Sequence, residues 1–301
     1  MINIAFCGNQ NVLALGSVAI VSLIQHTNSN NLYNVYFLHA PDCDKSDLNK
    51  LQSLSTSNVN VKLIDMSKYE DRLQKITTHR FGTPSLYRIL LPEVFPNLDR
   101  IVYLDTDIML RNDIAILHNM QFKSNDWLIA ARKNLTIPSE VKYKLNNKCD
   151  FYNSGVLIIN LNEWRNQNIQ QKVLTEVSTN KYKTPDQSAI NIICKNHIEE
   201  IPFSWNNTYV PYTNPNIVHF QMNAIKTLPD SNSYKQEWMQ YKQLSPLKFS
   251  PDWWIDERAQ MIKSKITIII LITICVIIII LFIYYKPFNT LSNNTQWFNT
   301  L

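Results

Sequence analysis

The chain has 301 residues, of which 45% are hydrophobic and 18% charged, and its formal net charge is +5. This composition is typical of a globular protein and excludes a disordered or collagen-like chain. Four scattered glycines exclude a dinucleotide-binding fingerprint and a P-loop, and without a run of Lys and Arg we expect no nucleic-acid partner.

The first hundred residues alternate predicted strands with predicted helices. Short runs rich in Val, Ile and aromatic residues predict strands, and helical spacing of apolar residues predicts the segments between them. Thr83 and Pro84 provide an N-cap and a first-turn proline for the third helix. The predicted strands are 2–7, 35–39, 59–64 and 101–104, and the predicted helices are 12–25, 44–55 and 85–95.

The same alternation continues beyond residue 120. We predict strands at 127–131, 156–160 and 217–220 and helices at 162–178 and 186–194, and residues 229–250 show no clear period. Alternating strands and helices favour an α/β fold around a mainly parallel sheet. Ligands of such sheets bind beyond the carboxyl ends of the strands, so residues at strand ends are the first candidates for a functional site.

Five scattered cysteines predict free thiols rather than a cysteine zinc site. The residues are Cys7, Cys43, Cys149, Cys194 and Cys275. No two of them have the short spacing of zinc ligands, and an odd, scattered set is typical of a reducing compartment.

Residues 266–285 form an uncharged apolar run of the length that predicts a transmembrane helix. Twenty helical residues rise about 30 Å, which matches the hydrocarbon core of a bilayer. Lys263 and Lys265 precede the run and Lys286 follows it, so the positive-inside rule favours a single-pass membrane protein with a cytosolic head. The predicted organisation is a globular domain at 1–250, a juxtamembrane segment at 251–265, the transmembrane helix and a tail at 286–301.

The strongest candidate for chemistry is a pair of carboxylates at the end of a predicted strand. Asp105 and Asp107 follow the apolar run 101–104 and precede another apolar run at 108–110. Charges in a buried run are costly unless they are paired or bind a metal ion. Two oxygen ligands can hold Mg²⁺ or Mn²⁺ and leave positions open for phosphate oxygens. The alternative is that both carboxylates cap the following turn.

Four segments share the order and spacing of one family's motifs. They are Y-R, L-P and D-R-I-V-Y-L-D-T-D within 87–107, F-Y-N-S-G-V-L-I-I-N-L-N-E-W-R at 151–165, P-D-Q at 185–187 and I-V-H-F at 217–220. This combination resembles glycosyltransferase family 8, which includes bacterial lipopolysaccharide α-galactosyl- and α-glucosyltransferases and glycogenin. The resemblance implies a GT-A fold, which is a Rossmann-like mixed sheet flanked by helices. Residues 1–250 are then the catalytic domain of a hexosyltransferase.

The resemblance also implies a reaction, a cofactor and a set of site residues. The reaction is retaining transfer of a hexose from a nucleotide sugar, usually UDP-linked, to a carbohydrate or glycolipid acceptor, which the predicted anchor would place near the membrane. The implied ligands of Mn²⁺ or Mg²⁺ are Asp105, Asp107 and His219, although a single histidine in an apolar strand can also be structural. The implied catalytic residues are Arg88, Asp186 and Gln187, and the implied donor-binding residues are Asn9, Asn11, Arg88, Asp105, Thr106, Asn153, Asp186, Gln187 and Lys226.

Two departures from the family pattern keep other functions open. Asn9 and Val12 replace an aspartate and an aromatic residue that the family commonly has after its first strand. After His219, a glycine is missing and Lys226 comes one place late. The alternative is therefore a catalytically weak protein that binds nucleotide sugars or glycans. A different metal enzyme, such as a phosphotransferase, is a third possibility, but the chain has no glycine loop for it. Likewise, Arg88 can form a surface ion pair, and Asp186 with Gln187 can cap a helix.

Overall fold

A computed structural model describes residues 1–76, 82–122, 124–145, 150–208, 213–221, 224–250 and 272–278. The chain divides into two units, Met1–Phe249 and Ser250–Leu301, and each is described by itself. The strands are β1 (Ile2–Gly8), β2 (Tyr33–His39), β3 (Val59–Asp65), β4 (Arg100–Leu104), β5 (Ile108–Leu110), β6 (Ile129–Lys133), β7 (Tyr152–Asn160), β8 (Ile198–Glu200) and β9 (Ile217–His219).

Helices connect most of these strands. The α-helices are α1 (Gln10–Gln25), α2 (Lys45–Gln52), α3 (Ser67–Gln74), α4 (Leu91–Val94), α5 (Ile114–His118), α6 (Ser139–Lys142), α7 (Leu161–Asn166), α8 (Ile169–Thr179), α9 (Pro185–Cys194), α10 (Ala224–Thr227) and α11 (Ser233–Leu244). Two 3-10 helices lie at Thr83–Leu90 and Phe203–Trp205.

The first unit is built on a seven-stranded mixed sheet. Its strand order is β3-β2-β1-β4-β7-β6-β8. Strands β1 to β4 run parallel to one another, whereas β7 is antiparallel to both β4 and β6. A separate antiparallel pair, β5 with β9, places Ile108 opposite His219. The predicted α/β fold with a mixed sheet flanked by helices is therefore confirmed.

Apolar side chains cover both faces of the central strands. Ile4 and Val102 belong to one core cluster, and Ala5 and Tyr103 belong to the cluster on the other face. All seven residues of β1 are buried. Burial on both faces explains why the parallel strands are nearly continuous apolar runs, which made them recognisable in the sequence.

Some predicted elements differ from the structure. The predicted helix 85–95 is a 3-10 helix followed by the single turn α4. The predicted helix 162–178 is two helices, α7 and α8, because Asn168 takes a left-handed conformation with φ of 53°. Asparagine tolerates this conformation better than most residues, so the chain can change direction there. Helix α11 lies in the stretch 229–250 for which no element was predicted.

The described cysteines are free. Cys7, Cys43 and Cys194 are buried and Cys275 is exposed, whereas Cys149 lies outside the described residues. Burial raises the pKa of the Cys7 thiol, despite the nearby Arg88 guanidinium, so this thiol is held neutral beside the carboxyl edge of the sheet.

The prediction of a transmembrane helix over 266–285 is corrected, and with it the prediction of a single-pass membrane protein that has a cytosolic head and a membrane partner. Residues 272–278 of this run are helical. Within the described ranges, no helix has the combined length and hydrophobicity that a membrane span needs. The rest of 266–285, the segment 251–265 and the tail 286–301 lie outside the described residues.

Candidate functional site

The two aspartates and the late histidine meet at the carboxyl end of β4. Asp105 and Asp107 follow β4 directly, and the pairing of β5 with β9 brings His219 beside them. Ligand atoms of all three side chains lie within 4.8 Å of one another. The Nε2 atom of His219 is 3.2 Å from Oδ1 of Asp107 and 3.8 Å from Oδ2 of Asp105. We call these three residues the acidic–imidazole cluster.

Gly155 in β7 provides the space that this cluster occupies. A Cβ atom at position 155 would lie 2.3 Å from Cε1 of His219 and 2.6 Å from Oδ2 of Asp105. The backbone N–H of Asp105 donates to the carbonyl of Gly155 over 2.8 Å. Two of the cluster side chains therefore pack directly on the β7 backbone, and only glycine fits there.

Arg88 is a buried cation that joins two carboxylates. Its Nη2 atom is 3.0 Å from Oδ1 of Asp105, and its Nη1 atom is 3.4 Å from Oδ2 of Asp186. Nη1 also donates to the carbonyl of Ser154 over 2.9 Å. The guanidinium lies 4.3 Å from the centre of the Tyr103 ring. Arg88 is only 7% exposed, so it is not a surface ion pair.

Burial and neighbouring charges shift the proton affinities of the cluster. Burial raises the pKa of Asp105, and the Asp107 carboxylate adds to this, although the Arg88 guanidinium opposes it. Burial alone would lower the pKa of His219, but Asp107 and Asp105 raise it above the usual imidazole value. Close carboxylates repel each other, and a divalent cation relieves that repulsion. The donor set of two carboxylates and one imidazole fits Mn²⁺ or Mg²⁺.

Asp186 and Gln187 face the same point from the start of α9. The N-cap of this helix is Thr184, so the two side chains do not cap it. Oδ2 of Asp186 accepts a long hydrogen bond of 3.4 Å from the Ser154 hydroxyl, and Oε1 of Gln187 accepts one of 3.0 Å from the Ser154 backbone N–H. The structure thus gathers Arg88, Asp186 and Gln187 around Ser154.

Asn153 is linked to the cluster through Asn206, and its side-chain oxygen accepts two hydrogen bonds. Its Oδ1 atom accepts from the backbone N–H of Gly155 over 2.9 Å and from Nδ2 of Asn206 over 2.8 Å. Asn206 is fully buried, and its Oδ1 atom is 2.9 Å from Nδ1 of His219. The hydrogen bonds of Asn153 within the described chain use its Oδ1 atom.

The sequence analysis missed three residues that organise the site. Tyr103 donates to Oδ1 of Asp105 over 2.7 Å. Asn191 accepts from the backbone N–H of Tyr152 over 2.7 Å and donates to its carbonyl over 2.9 Å, which fixes α9 against β7. Asn206 is the third. A contact between Asn206 and a histidine thirteen residues later carries no spacing signal, so the sequence alone could not show it.

The remaining predicted donor-binding residues are Asn9, Asn11, Thr106 and Lys226. Asn9 is the N-cap residue of α1 and makes no side-chain cap bond, and Asn11 is exposed. Thr106 is buried with its methyl group toward Gly16 of α1, 3.3 Å from where a Cβ atom would lie. Lys226 is partly exposed on α10. Asn9 and Asn11 follow β1, the neighbour of β4, so they border the same edge of the sheet.

Relatives in sequence match most of the first unit. The profile of the family described as "Glycosyl transferase family 8" matches residues 3–227, about three quarters of the chain. A putative glycosyltransferase of Haemophilus influenzae is 25% identical over 211 residues, which cover 68% of this chain and 63% of that protein. A lipopolysaccharide 1,2-glucosyltransferase of Escherichia coli is 24% identical over 216 residues, covering 69% and 62%. The chain therefore spans less than two thirds of these relatives.

Solved structures share the fold. The galactosyltransferase LgtC, in complex with donor and acceptor sugar analogues, superposes with a TM-score of 0.68 at 18% identity, covering 84% of this chain and 99% of LgtC. The bifunctional glycosyltransferase WbbM superposes with a TM-score of 0.69 at 16% identity, covering 81% and 50%. These similarities confirm the predicted GT-A fold.

Proposed function

Because this chain belongs to glycosyltransferase family 8, we propose that it transfers a hexose from a nucleotide sugar of the UDP type to a hydroxyl group of a carbohydrate acceptor. The observation that carries the proposal is the acidic–imidazole cluster, whose ligand atoms lie within 4.8 Å of one another at the carboxyl edge of the sheet. That edge is where α/β folds bind their ligands.

Asp105, Asp107 and His219 are the proposed ligands of Mn²⁺ or Mg²⁺. Bound there, the cation would neutralise the negative charge that develops on the departing nucleoside diphosphate. Lys226, the cation on α10, is proposed to add a second positive charge on the diphosphate. Asn9, Asn11 and Thr106 are proposed to line the nucleoside side of the same edge.

Asn153, Asp186 and Gln187 are the proposed contacts of the donor sugar. Asp186 and Gln187 project from one helix turn toward β7, and the Nδ2 group of Asn153 is the proposed contact of a sugar hydroxyl. Arg88 holds Asp186 in place through a buried ion pair. A carboxylate and a carboxamide held in fixed orientations can select hydroxyl groups by hydrogen bonding.

Retention of the anomeric configuration is proposed to proceed by attack on the same face of the sugar as the leaving group. Two contacts support a role for Asp186 and Gln187 in orientation rather than nucleophilic attack. Asp186 is paired with the buried Arg88, and the Gln187 carbonyl accepts a backbone hydrogen bond. In this mechanism the acceptor oxygen forms the new bond to the anomeric carbon as the bond to the diphosphate breaks, and a phosphate oxygen takes the acceptor proton.

The test replaces each aspartate of the cluster with its isosteric amide. The wild-type protein should release nucleoside diphosphate from a panel of nucleotide sugars with Mn²⁺, and a chelator should abolish this release. Asp105→Asn and Asp107→Asn should each lower turnover by roughly 100-fold or more, a size typical of lost electrostatic stabilisation. Asp126→Asn is the control because Asp126 is exposed.

Undiminished turnover in the Asp105→Asn and Asp107→Asn variants would refute the metal role. Calorimetric binding of a nucleotide sugar without product release would instead establish the alternative of a binding protein.

A further inference from the structure

Four polar groups form a continuous hydrogen-bonded chain beneath the acidic–imidazole cluster. It begins at the backbone N–H of Gly155 and continues through Oδ1 of Asn153, the amide of Asn206 and Nδ1 of His219. The three distances are 2.9, 2.8 and 2.9 Å. All four residues lie in the interior or in β7, where water does not compete for these bonds.

The direction of this chain follows from its first member. A backbone N–H can only donate, so the Asn153 atom that faces Gly155 must be the oxygen. That oxygen also faces Asn206, so Asn206 must present its NH₂ group to it. The Asn206 oxygen then faces His219, and an oxygen acceptor requires a proton on Nδ1.

We infer that Asn153 and Asn206 are positioning residues of the metal site: they hold the His219 imidazole with its proton on Nδ1 and with Nε2 directed at Asp105 and Asp107. This inference rests on the proposed metal-dependent function. An imidazole binds a metal ion through an unprotonated nitrogen, and a partner on the other nitrogen fixes both tautomer and ring orientation. A neutral amide performs this task here, where many metal sites use a carboxylate.

Asn206 also restricts rotation of the His219 imidazole. Gly155 lies against the ring on one side, because a Cβ atom there would be 2.3 Å from Cε1. The backbone N–H of His219 is bonded to the carbonyl of Asn207 over 2.9 Å, which anchors the start of the side chain. Removal of the Asn206 amide takes away the bond to Nδ1 that fixes the imidazole about its last bond, so the Nε2 lone pair is held less firmly toward the cluster.

Substitution of Asn206 tests this inference in the full-length protein. Asn206→Ala should weaken Mn²⁺ binding by about 10- to 100-fold, the usual effect of losing such a partner. Affinity is measured from the electron paramagnetic resonance signal of free Mn²⁺, and bound Co²⁺ should show a changed visible spectrum. Asn207→Ala is the matched control, because this neighbouring buried asparagine contacts His219 through its backbone carbonyl, which the substitution keeps.

Asn206→Leu separates positioning from packing. Leucine has the same branched side-chain skeleton as asparagine but offers no acceptor for the Nδ1 proton. If Asn206 acts by accepting that proton, Asn206→Leu should bind Mn²⁺ as weakly as Asn206→Ala. Wild-type affinity in Asn206→Leu would show that Asn206 only fills space and would overturn the inference. Thermal denaturation without metal checks that each variant is folded.

The tautomer of His219 can also be measured directly in the wild-type protein. Long-range ¹H–¹⁵N spectra, with His219 assigned by comparison with His219→Gln, should show Nδ1 as the protonated nitrogen of the neutral imidazole. An unprotonated Nδ1 would overturn the inference.

The outcomes distinguish this inference from the proposed function. Wild-type affinity in Asn206→Ala, or an equal loss in Asn207→Ala, would overturn the inference and leave the metal site intact. Failure of the wild-type protein to bind Mn²⁺ would overturn both.

Discussion

A single methyl group added at Gly155 should impair metal binding strongly while the protein still folds. In Gly155→Ala the new Cβ would lie 2.3 Å from Cε1 of His219 and 2.6 Å from Oδ2 of Asp105. Real contacts of this kind are essentially never shorter than 3.0 Å, so the imidazole must move by at least 3.0 − 2.3 = 0.7 Å. Neither neighbour can yield easily, because Asp105 is bonded to Arg88 and His219 to Asn206.

The displacement has two measurable consequences. Overpacking of a buried site costs about 1–3 kcal/mol. For a domain of this size that corresponds to a fall in melting temperature of roughly 2–12 °C. The contact with Oδ2 of Asp105 must lengthen by 3.0 − 2.6 = 0.4 Å. Displacement of two proposed metal ligands should lower Mn²⁺ affinity and should lower turnover by up to roughly 100-fold, the effect of a misplacement of about 1 Å on catalysis.

Gly8→Ala is the matched control for metal affinity. Its Cβ would meet Val12 at 2.6 Å and Phe37 at 3.1 Å, which overpacks the fold without touching a proposed ligand. We expect a comparable fall in melting temperature with Mn²⁺ affinity retained. A folded Gly155→Ala protein that binds Mn²⁺ as tightly as the wild type would show that His219 and Asp105 are not held against the β7 backbone as described.

Three further predictions concern charge and stability. Arg88→Met should lower the free energy of unfolding in urea by about 3–5 kcal/mol, because it leaves Asp105 and Asp186 without their buried cation; a loss below 1 kcal/mol would contradict the buried pairing. Burial lowers the pKa of His118 below 6.5, and the nearby Arg100 contributes to this shift. As the pH falls, the unfolded chain therefore binds a proton at this residue before the folded chain does, and the stability of the fold should decrease below about pH 6.5. His118→Gln should flatten that decrease between pH 8 and 5, and an unchanged slope would refute the assignment. Mn²⁺ at about 100 times its dissociation constant should stabilise the wild-type protein against thermal denaturation by about 2.7 kcal/mol. The same Mn²⁺ concentration should leave the stability of Asp107→Asn unchanged. Equal stabilisation of both proteins would exclude Asp107 as a ligand.

The sequence predicted those parts of the fold that depend on local apolar pattern. Strands β1 and β2 were found because burial on both faces makes them nearly continuous apolar runs. The break between α7 and α8 was not found, because it depends on the left-handed backbone of Asn168, which no period in the sequence records. The uncharged apolar run 266–285 predicted a membrane span, and among the residues that the structure describes no helix is long and apolar enough to form one.

The candidate site was predicted in part, for a similar reason. Asp105 and Asp107 were recognisable because carboxylates interrupt an apolar strand end, and His219 was placed with them only by resemblance to a family. The residues that orient them form contacts over long sequence distances: Arg88 reaches Ser154, and Asn206 bridges Asn153 and His219. Such contacts arise from the pairing of β5 with β9 and from the packing of the 3-10 helix Thr83–Leu90 against β7. They become visible only once the fold is known.

We propose that Asp105, Asp107 and His219 bind a divalent cation that in turn binds the nucleoside diphosphate. A crystal of the full chain grown with Mn²⁺ and uridine diphosphate, with anomalous data collected at the manganese edge, would locate that cation. We expect one strong anomalous peak within coordination distance of all three side chains and of diphosphate oxygens. Diphosphate bound at the sheet edge without such a peak, and with Asp107 still paired to His219, would contradict the proposal.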